Sequence, residues 1–472
     1  MLAAGLSAAA FALYAATLLP GLGSGDTAEF QRVLPTLDVA HPTGYPLYTL
    51  LGWLWSWLPL GTMAWRISLL SAAAAALAIG ALFGVARAIG QSAPVAAGAA
   101  LALAATRTFW SQATIAEVYA LAALIQALLL LALLRWRAGR WPLWVAGLLF
   151  GLGLAHHRSV ILLPPGALLF VALSWRLGES RRRLSPRVLL SVALALLLPL
   201  ALYAYVPLRA PAWMQSWSQV FTHISGSALT ATWLNPARLR DEGARRVIDL
   251  ARQFLWPQFL PAGVALALLG GIRLLRRDRA AAALLLVSYA LVCAFCAAYY
   301  VDDIEVFFIP AHQIAALLLG EGALLLLAGV ALGAHKLGRS GQPIRRALPY
   351  ALLILPAVLL WHNLPAIRAL NTTSDEQIAR EIMAQPLPHG ALIIGDWYAT
   401  EGPHYLQVIE QQRPDLQLGS GIGRDDVLQA LDSGRAVYLT APDLSLGLAH
   451  SPEGRLWRLS RAPLVASTST QY

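Results

Sequence analysis

Lysine is almost missing from this chain: Lys336 is the only one, so arginine supplies nearly all of the 35 basic residues. That bias reads as GC-rich bacterial codon usage and carries no mechanism. Charge of any sign is scarce, at 13% of residues against roughly 25% in soluble domains. An ordinary soluble domain is therefore excluded. Cysteine is limited to Cys293 and Cys296, three apart in an apolar stretch, which excludes a disulfide framework or a zinc site and leaves two buried, inert thiols. Phosphate-cradling glycine loops, zinc-protease pairs and nucleophile elbows are also missing, so soluble nucleotide chemistry is unsupported. No internal repeat with a period of about 20 to 50 residues is visible.

What is present is apolar surface: 58% of residues are hydrophobic and the mean hydropathy is +0.59. This is a polytopic α-helical membrane protein. Runs approaching the ~20 residues needed to cross a ~30 Å hydrocarbon core lie at roughly 2–20, 66–86, 92–106, 113–134, 142–156, 159–175, 187–207, 254–272, 280–299, 306–333 and 347–364. About 11 transmembrane helices are expected. The first is read as an uncleaved helix, because it lacks the basic segment of a signal peptide.

Basic residues collect in alternate loops: Arg87; Arg135, Arg137 and Arg140; Arg176, Arg181, Arg182, Arg183 and Arg187; Arg273, Arg276, Arg277 and Arg279; Lys336, Arg339, Arg345 and Arg346. The opposite loops hold Asp26, Glu29, Asp38, Asp302, Asp303 and Glu305. The positive-inside rule then puts the N-terminus in the cytoplasm and the last hundred residues outside the plasma (inner) membrane. The net charge of +10 is accounted for by this topology and by anionic lipid headgroups, so the bilayer is a partner and nucleic acid is not.

Residues 1–365 form the membrane domain, with a first outer loop at about 21–65, and 366–472 a small α/β extracytoplasmic domain. Its pattern reads as helix 375–383, strand 391–396, helix 402–411, strand 415–419, helix 425–431 and strand 436–440.

The polar residues of the outer side carry the chemistry. Asp26-x-x-Glu29 has capping-box spacing, which would satisfy a helix start. The preceding GLGSG also lets the backbone bend where a lipid headgroup and a hydroxyl acceptor could meet, and Asp26 can both cap and act as a base. His41 lies in the turn of VAHPTGYPLYTLLG, followed by Trp53, Trp55 and Trp57, a density suited to a helix lying in the interface. In WSQATIAEVYALAAL a helix starting at Ser111 would put Glu117 roughly 9 Å below its beginning. An acid there costs about 2.5–3.5 kcal/mol and needs a polar cavity or an ion pair with an arginine such as Arg158. LAHHRS packs His156, His157 and Arg158 between helices, cations suited to a phosphate, as is Arg209 after YVPL. Asp302, Asp303 and Glu305 offer oxygen ligands for a divalent cation or form a plain acidic turn. The segment GDWYATEG, Gly395 to Gly402, is a candidate binding edge or a simple turn.

The motifs GDTAEF, VAHPTGYPLYTLLG, WSQATIAEVYALAAL, GLGLAHHRSVILLPP, YVPLRAP and DIEVFFIPA, running in order from Gly25 to about Ala311, resemble the multispanning protein O-mannosyltransferase-like family, formerly a domain of unknown function and related to human transmembrane protein two-sixty. Thr43 replaces the second proline of that family's HPPG turn. The resemblance implies a GT-C-like fold and an inverting glycosyltransferase that takes a sugar from a polyprenyl-phosphate donor to a hydroxyl acceptor on protein or glycan at the outer face. It implies Asp26 as general base with Glu29 beside it, and His41, Tyr45, Glu117, Tyr119, His156, His157, Arg158 and Arg209 around the substrates. No cofactor is required by it, a divalent cation remaining an option. A flippase or transporter of lipid-linked saccharides, or a non-catalytic glycan-assembly protein, are the alternatives.

Overall fold

Inside a bilayer every backbone N–H and C=O must be bonded within its own segment, and each apolar run is accordingly helical for most of its length. The computed structural model describes residues 1–179, 184–336, 340 and 342–463. Arg181, Arg182, Arg183 and Arg339 of the basic set lie outside the described residues. The chain begins with α1 (Leu2–Ala16), α2 (Gly25–Thr36), α3 (Pro46–Ser56), α4 (Met63–Ala88), α5 (Ala93–Ala104), α6 (Arg107–Ala113), α7 (Tyr119–Arg137) and α8 (Trp144–Leu154). Among the described residues seven helices are long and apolar enough to cross a membrane, and α1, α5 and α8 are apolar but shorter. The protein is a multi-pass membrane protein.

Alanine-rich α4 is the hub. Its small side chains Ala72, Ala74, Ala75, Ala76 and Ala78 are buried, and α1, α5 and α7 pack around it. Helices Trp256–Arg277 and Ile309–Lys336 approach still more closely through Gly270 and Gly322. A Cβ added at Gly270 would fall 1.8 Å from the Leu318 carbonyl oxygen, and one at Gly322 1.9 Å from that of Leu266. Close backbone contact over small residues is how membrane helices gain dispersion energy. Leu189, Leu190, Leu194, Leu197 and Leu198 of the 186–208 segment are instead exposed, as lipid-facing side chains are.

The C-terminal region is a five-stranded sheet of order β2-β1-β3-β5-β4, with β1 (Leu392–Gly395), β2 (Gln417–Ser420), β3 (Val437–Leu439), β4 (Leu448–Glu453) and β5 (Leu456–Pro463). β1 pairs parallel with β2 and β3, joined by helices Trp397–Ile409 and Arg424–Asp432, since parallel strands need long crossovers. The β4–β5 hairpin adds an antiparallel edge that the alternation of the sequence had not suggested. The helix expected at 402–411 begins earlier, at Trp397, because the Asp396 side chain accepts from the Ala399 N–H and caps it. GDWYATEG is thus a strand end and a first helical turn, not an open loop.

This domain sits on the first loop. Leu22, Ala28 and Ala64 share one apolar cluster with Ala379, Ile382, Met383, Tyr405 and Leu406. Around it the Glu376 carboxylate accepts from the Leu22 N–H (3.0 Å), Ser24 donates to Asp375 (2.8 Å), and the Ala64 N–H donates to the Tyr405 hydroxyl (3.1 Å). Acidic loop and C-terminal domain therefore lie on the same side of the helical bundle.

Candidate active site

The site starts from α2. Gly25, at φ +52°, turns the chain into the helix, a conformation L side chains rarely adopt. Buried Gln31 then fastens α2 by donating to the Gly21 and Ala64 carbonyls and the Ser68 hydroxyl, while its own carbonyl accepts from the Gly23 N–H. The capping-box reading does not hold: Ser24 precedes the helix, and neither carboxylate bonds a helix-start amide. Asp26 and Glu29 turn to partners outside the helix.

Glu29, with its side chain 3% exposed, accepts from the His41 backbone N–H (2.7 Å) through one oxygen and from His41 Nδ1 through the other. Burial alone would lower the imidazole. The charge of Glu29 and its hydrogen bond, with smaller contributions from Asp26 and Glu117, outweigh that and raise His41 to about 10. His41 is accordingly an imidazolium, whose Nε2–H faces the Tyr45 hydroxyl at 3.1 Å. Tyr45, at φ +41°, in turn donates to the Pro42 carbonyl (3.4 Å).

Asp26 is different. Its side chain is 42% exposed, Oδ1 accepts from the Trp397 indole N–H at 2.6 Å, and Oδ2 lies 3.8 Å from His41 Nε2. No arginine pairs with it among the described residues. Asp26, Glu29 and His41 each present a ligand atom within 4.8 Å of the others, the one such cluster among the described residues. Asp302, Asp303 and Glu305 do not form one, although Asp303 shares the site electrostatically: burial first, then the charge of Asp26, pushes its carboxyl up to about 6.

From His41 a run of rings leads inward. Tyr45 stacks on His157 (6.1 Å, 13°), which meets Tyr119 (5.4 Å) and Phe307 (5.9 Å). Small cavities lined by Tyr119, Gln126, His156, His157, Phe307 and Pro310 open beside this run. His156 is fully buried, with Nε2 on the Val118 carbonyl (2.8 Å) and Nδ1 unpartnered. Burial, assisted by the charges of His156 and Arg158, lowers His157 to about 3. The expectation of three cations in LAHHRS is thereby corrected: His157 is neutral, its Nδ1 facing the Ser159 hydroxyl at 2.7 Å.

Three other expectations change. Glu117 is not inside a helix: α6 ends at Ala113, and Glu117 sits just before α7, accepting from the Val118 N–H (3.2 Å). A carboxylate at a helix N-terminus is favoured where one along the shaft is penalised. Arg158 does not pair with it but donates to the Ser225 carbonyl and the Thr230 hydroxyl. Arg209 is exposed and donates to the Leu37 (2.9 Å) and Thr36 (3.1 Å) carbonyls, satisfying the C-terminus of α2. Sequence reading missed Trp397 as part of this site; its only signal was GDWYATEG, whose contact with Asp26 spans 371 positions.

Residues 26–179 match the family described as protein O-mannosyl-transferase TMEM260 N-terminal domain, an interval that holds Asp26, Glu29, His41, Tyr45, Glu117, Tyr119, His156, His157 and Arg158 but not Arg209, Asp303, Phe307 or Trp397. The mouse (Mus musculus) protein O-mannosyl-transferase TMEM260 is 24% identical over 439 residues, 86% of this chain and 60% of its own length. The Dictyostelium discoideum protein O-mannosyl-transferase tmem260 is 42% identical over 62 residues, 12% of this chain and 8% of its own. The chain thus spans three-fifths or less of these relatives. Among solved structures, ArnT from Cupriavidus metallidurans bound to undecaprenyl phosphate superposes with a TM-score of 0.60 at 16% identity, over 98% of this chain and 97% of that one. The Archaeoglobus fulgidus oligosaccharyltransferase, tethered with an acceptor peptide, gives 0.54 at 12% identity over 94% and 69%. The motifs and the fold agree: the chain resembles the TMEM260-like protein O-mannosyltransferases in sequence and has a GT-C-like helical fold.

Proposed function

We propose that this protein is a membrane glycosyltransferase that moves a sugar from a polyprenyl-phosphate carrier to a hydroxyl acceptor at the outer face, with inversion and with Asp26 as general base. The observation that carries the reading is the unequal use of two neighbouring acids. Glu29 spends both oxygens on His41, whereas Asp26, its side chain 42% exposed at the loop mouth, has no arginine to neutralise it among the described residues. A carboxylate within reach of an acceptor hydroxyl takes its proton as the anomeric carbon is attacked. Glu29 then acts on His41, holding it as an imidazolium whose Nε2 lies 3.8 Å from Oδ2.

The ring run Tyr45–His157–Tyr119–Phe307 supplies apolar faces for a sugar or the start of a prenyl chain, with the His41 imidazolium beside Tyr45 and Arg158 directly after His157 as its cations. The relatives named as O-mannosyl-transferases favour mannose and a protein hydroxyl. Trp53 and exposed Trp57, at the end of α3, suit the headgroup level along which a lipid donor arrives.

The test is release of polyprenyl phosphate by purified wild type and Asp26→Asn, each given polyprenyl-phosphate mannose, glucose or arabinose with outer-face protein extract. Release by wild type alone, with the variant folded, supports the transferase and names the donor. Equal release by both removes Asp26 as base, and no release from any donor favours transport of the lipid-linked sugar.

A further inference from the structure

We propose that the C-terminal domain completes this site, with Trp397 as a positioning residue that fixes the Asp26 carboxylate. The inference rests on the transferase reading and adds to it a residue that lies far outside the matched interval 26–179.

An aspartate at a loop mouth has two free side-chain torsions and two equivalent oxygens. The indole N–H, a donor with no acceptor capacity, holds Oδ1 at 2.6 Å and so leaves Oδ2 as the oxygen that faces His41 and an incoming hydroxyl. The Trp397 ring also meets the His41 ring at 6.2 Å, nearly edge-on. Fixing a reacting group in one orientation lowers the entropy that must be lost on the way to the transition state.

Trp397 is itself held firmly. It is the first residue of a helix capped by Asp396 at the end of β1. One turn further on, Glu401, with its side chain 4% exposed, accepts from Arg32 of α2 through Nε (3.2 Å) and a terminal nitrogen (2.8 Å). Tyr398 lies against Gly25 so closely that a Cβ there would come within 2.7 Å of its ring. Two successive aromatic residues thus straddle the start of α2, one on Asp26 and one on the glycine before it.

The experiment uses the full chain and polyprenyl-phosphate mannose, glucose and arabinose. Trp397→Phe keeps a ring and removes the donor, and Trp457→Phe, in the same domain but on the β5 side, is the control. The expected result is a kcat for Trp397→Phe lower by about tenfold or more, with KM for the donor within twofold and Trp457→Phe unchanged. Carbodiimide labelling read by peptide mass spectrometry needs no activity. Asp26 is expected to label several-fold faster in Trp397→Phe, with Asp38 of the same loop as internal standard. If the phenylalanine protein does not fold, Trp397→His and Trp397→Leu give the same contrast of donor against no donor. Release by wild type with an unchanged kcat or unchanged labelling in the variant overturns the positioning role alone. No release by wild type from any of the three donors overturns the transferase reading and this role with it.

Discussion

At the far end of α4, buried Glu321 and part-buried Asp278 are both met by guanidinium groups. Glu321, wholly buried, lies between Arg273 and Arg277, and Asp278 receives both terminal nitrogens of Arg137 at 2.7 Å. Arg277 also donates to the Ile89 carbonyl just past the end of the helix. About 39 Å away along the same helix, the acids around the first loop are treated otherwise: Asp26 is held by an indole, Glu117 by a backbone amide and Glu29 by a histidine. Arginine appears there chiefly as a fastener, in Arg32–Glu401. A buried acid paired with guanidinium groups is costly to unpair, whereas a carboxylate with no guanidinium on it remains able to bind or to take a proton. That contrast separates a structural end from the one that the proposed function makes reactive.

The largest expected effect falls on the reactive end. Asp26→Asn should lower kcat for polyprenyl-phosphate release by about a thousandfold, within the range lost with a general base, with thermal stability near that of wild type. Residual activity within tenfold would break the contrast, since Asp26 would then resemble the acids of the other end.

Glu321→Gln should do the reverse. Two guanidinium groups lose a buried counter-charge, at a cost of about 3 kcal/mol, read as a lower midpoint in a detergent melt, while kcat per folded molecule stays unchanged.

The His41–Glu29 pair sharpens the comparison through pH. His41 is raised from its ordinary 6.5 to about 10, so the pair stabilises fully below about pH 6.5 and loses that contribution as pH rises through about 10. The melting-point gap between wild type and His41→Gln is therefore expected to be wide at pH 6 and to narrow by pH 10. A gap that widens with pH would mean that His41 is neutral.

Arg209→Ala should have the smallest effect, less than about 1 kcal/mol of stability, as for an exposed cation at a helix C-terminus, and little change in KM for the donor. A KM rise of tenfold or more would return Arg209 to the phosphate-binding role that its residue type suggested.

Much of the fold was legible because hydrophobic runs and the strand–helix alternation of 375–440 are local signals. The β4–β5 hairpin was not, since β4, LAHSPE, carries proline and charge, and β5 pairs with β3 from an earlier part of the chain. Of the site, Asp26, Glu29, His41 and Tyr45 were all named, since they lie within 20 positions of one another in the first outer loop, but the pairing of Glu29 with His41 was not. Glu117 was found but mislaid, because the break at 114–118 is made by tertiary bonds: Ser71 both donates to the Glu117 carbonyl and accepts from its N–H. His157 was assigned a charge that its burial, assisted by nearby Arg158, removes. Trp397 was out of reach of any local pattern.

The attachment of the last domain to the first loop also has a temporal side. At about 5–20 residues per second, on the order of half a minute of synthesis separates Asp26 from Trp397. During that interval the loop has emerged without its indole, its Arg32 partner or the apolar cover supplied by Ile382 and Leu406. The transmembrane helices can be inserted and packed in this window while the aspartate is still free to swing. On the proposed function, competence would then arrive as the final event of biogenesis, and a ribosome that stops before residue 397 would leave an inserted protein whose Asp26 carboxylate has never met its indole.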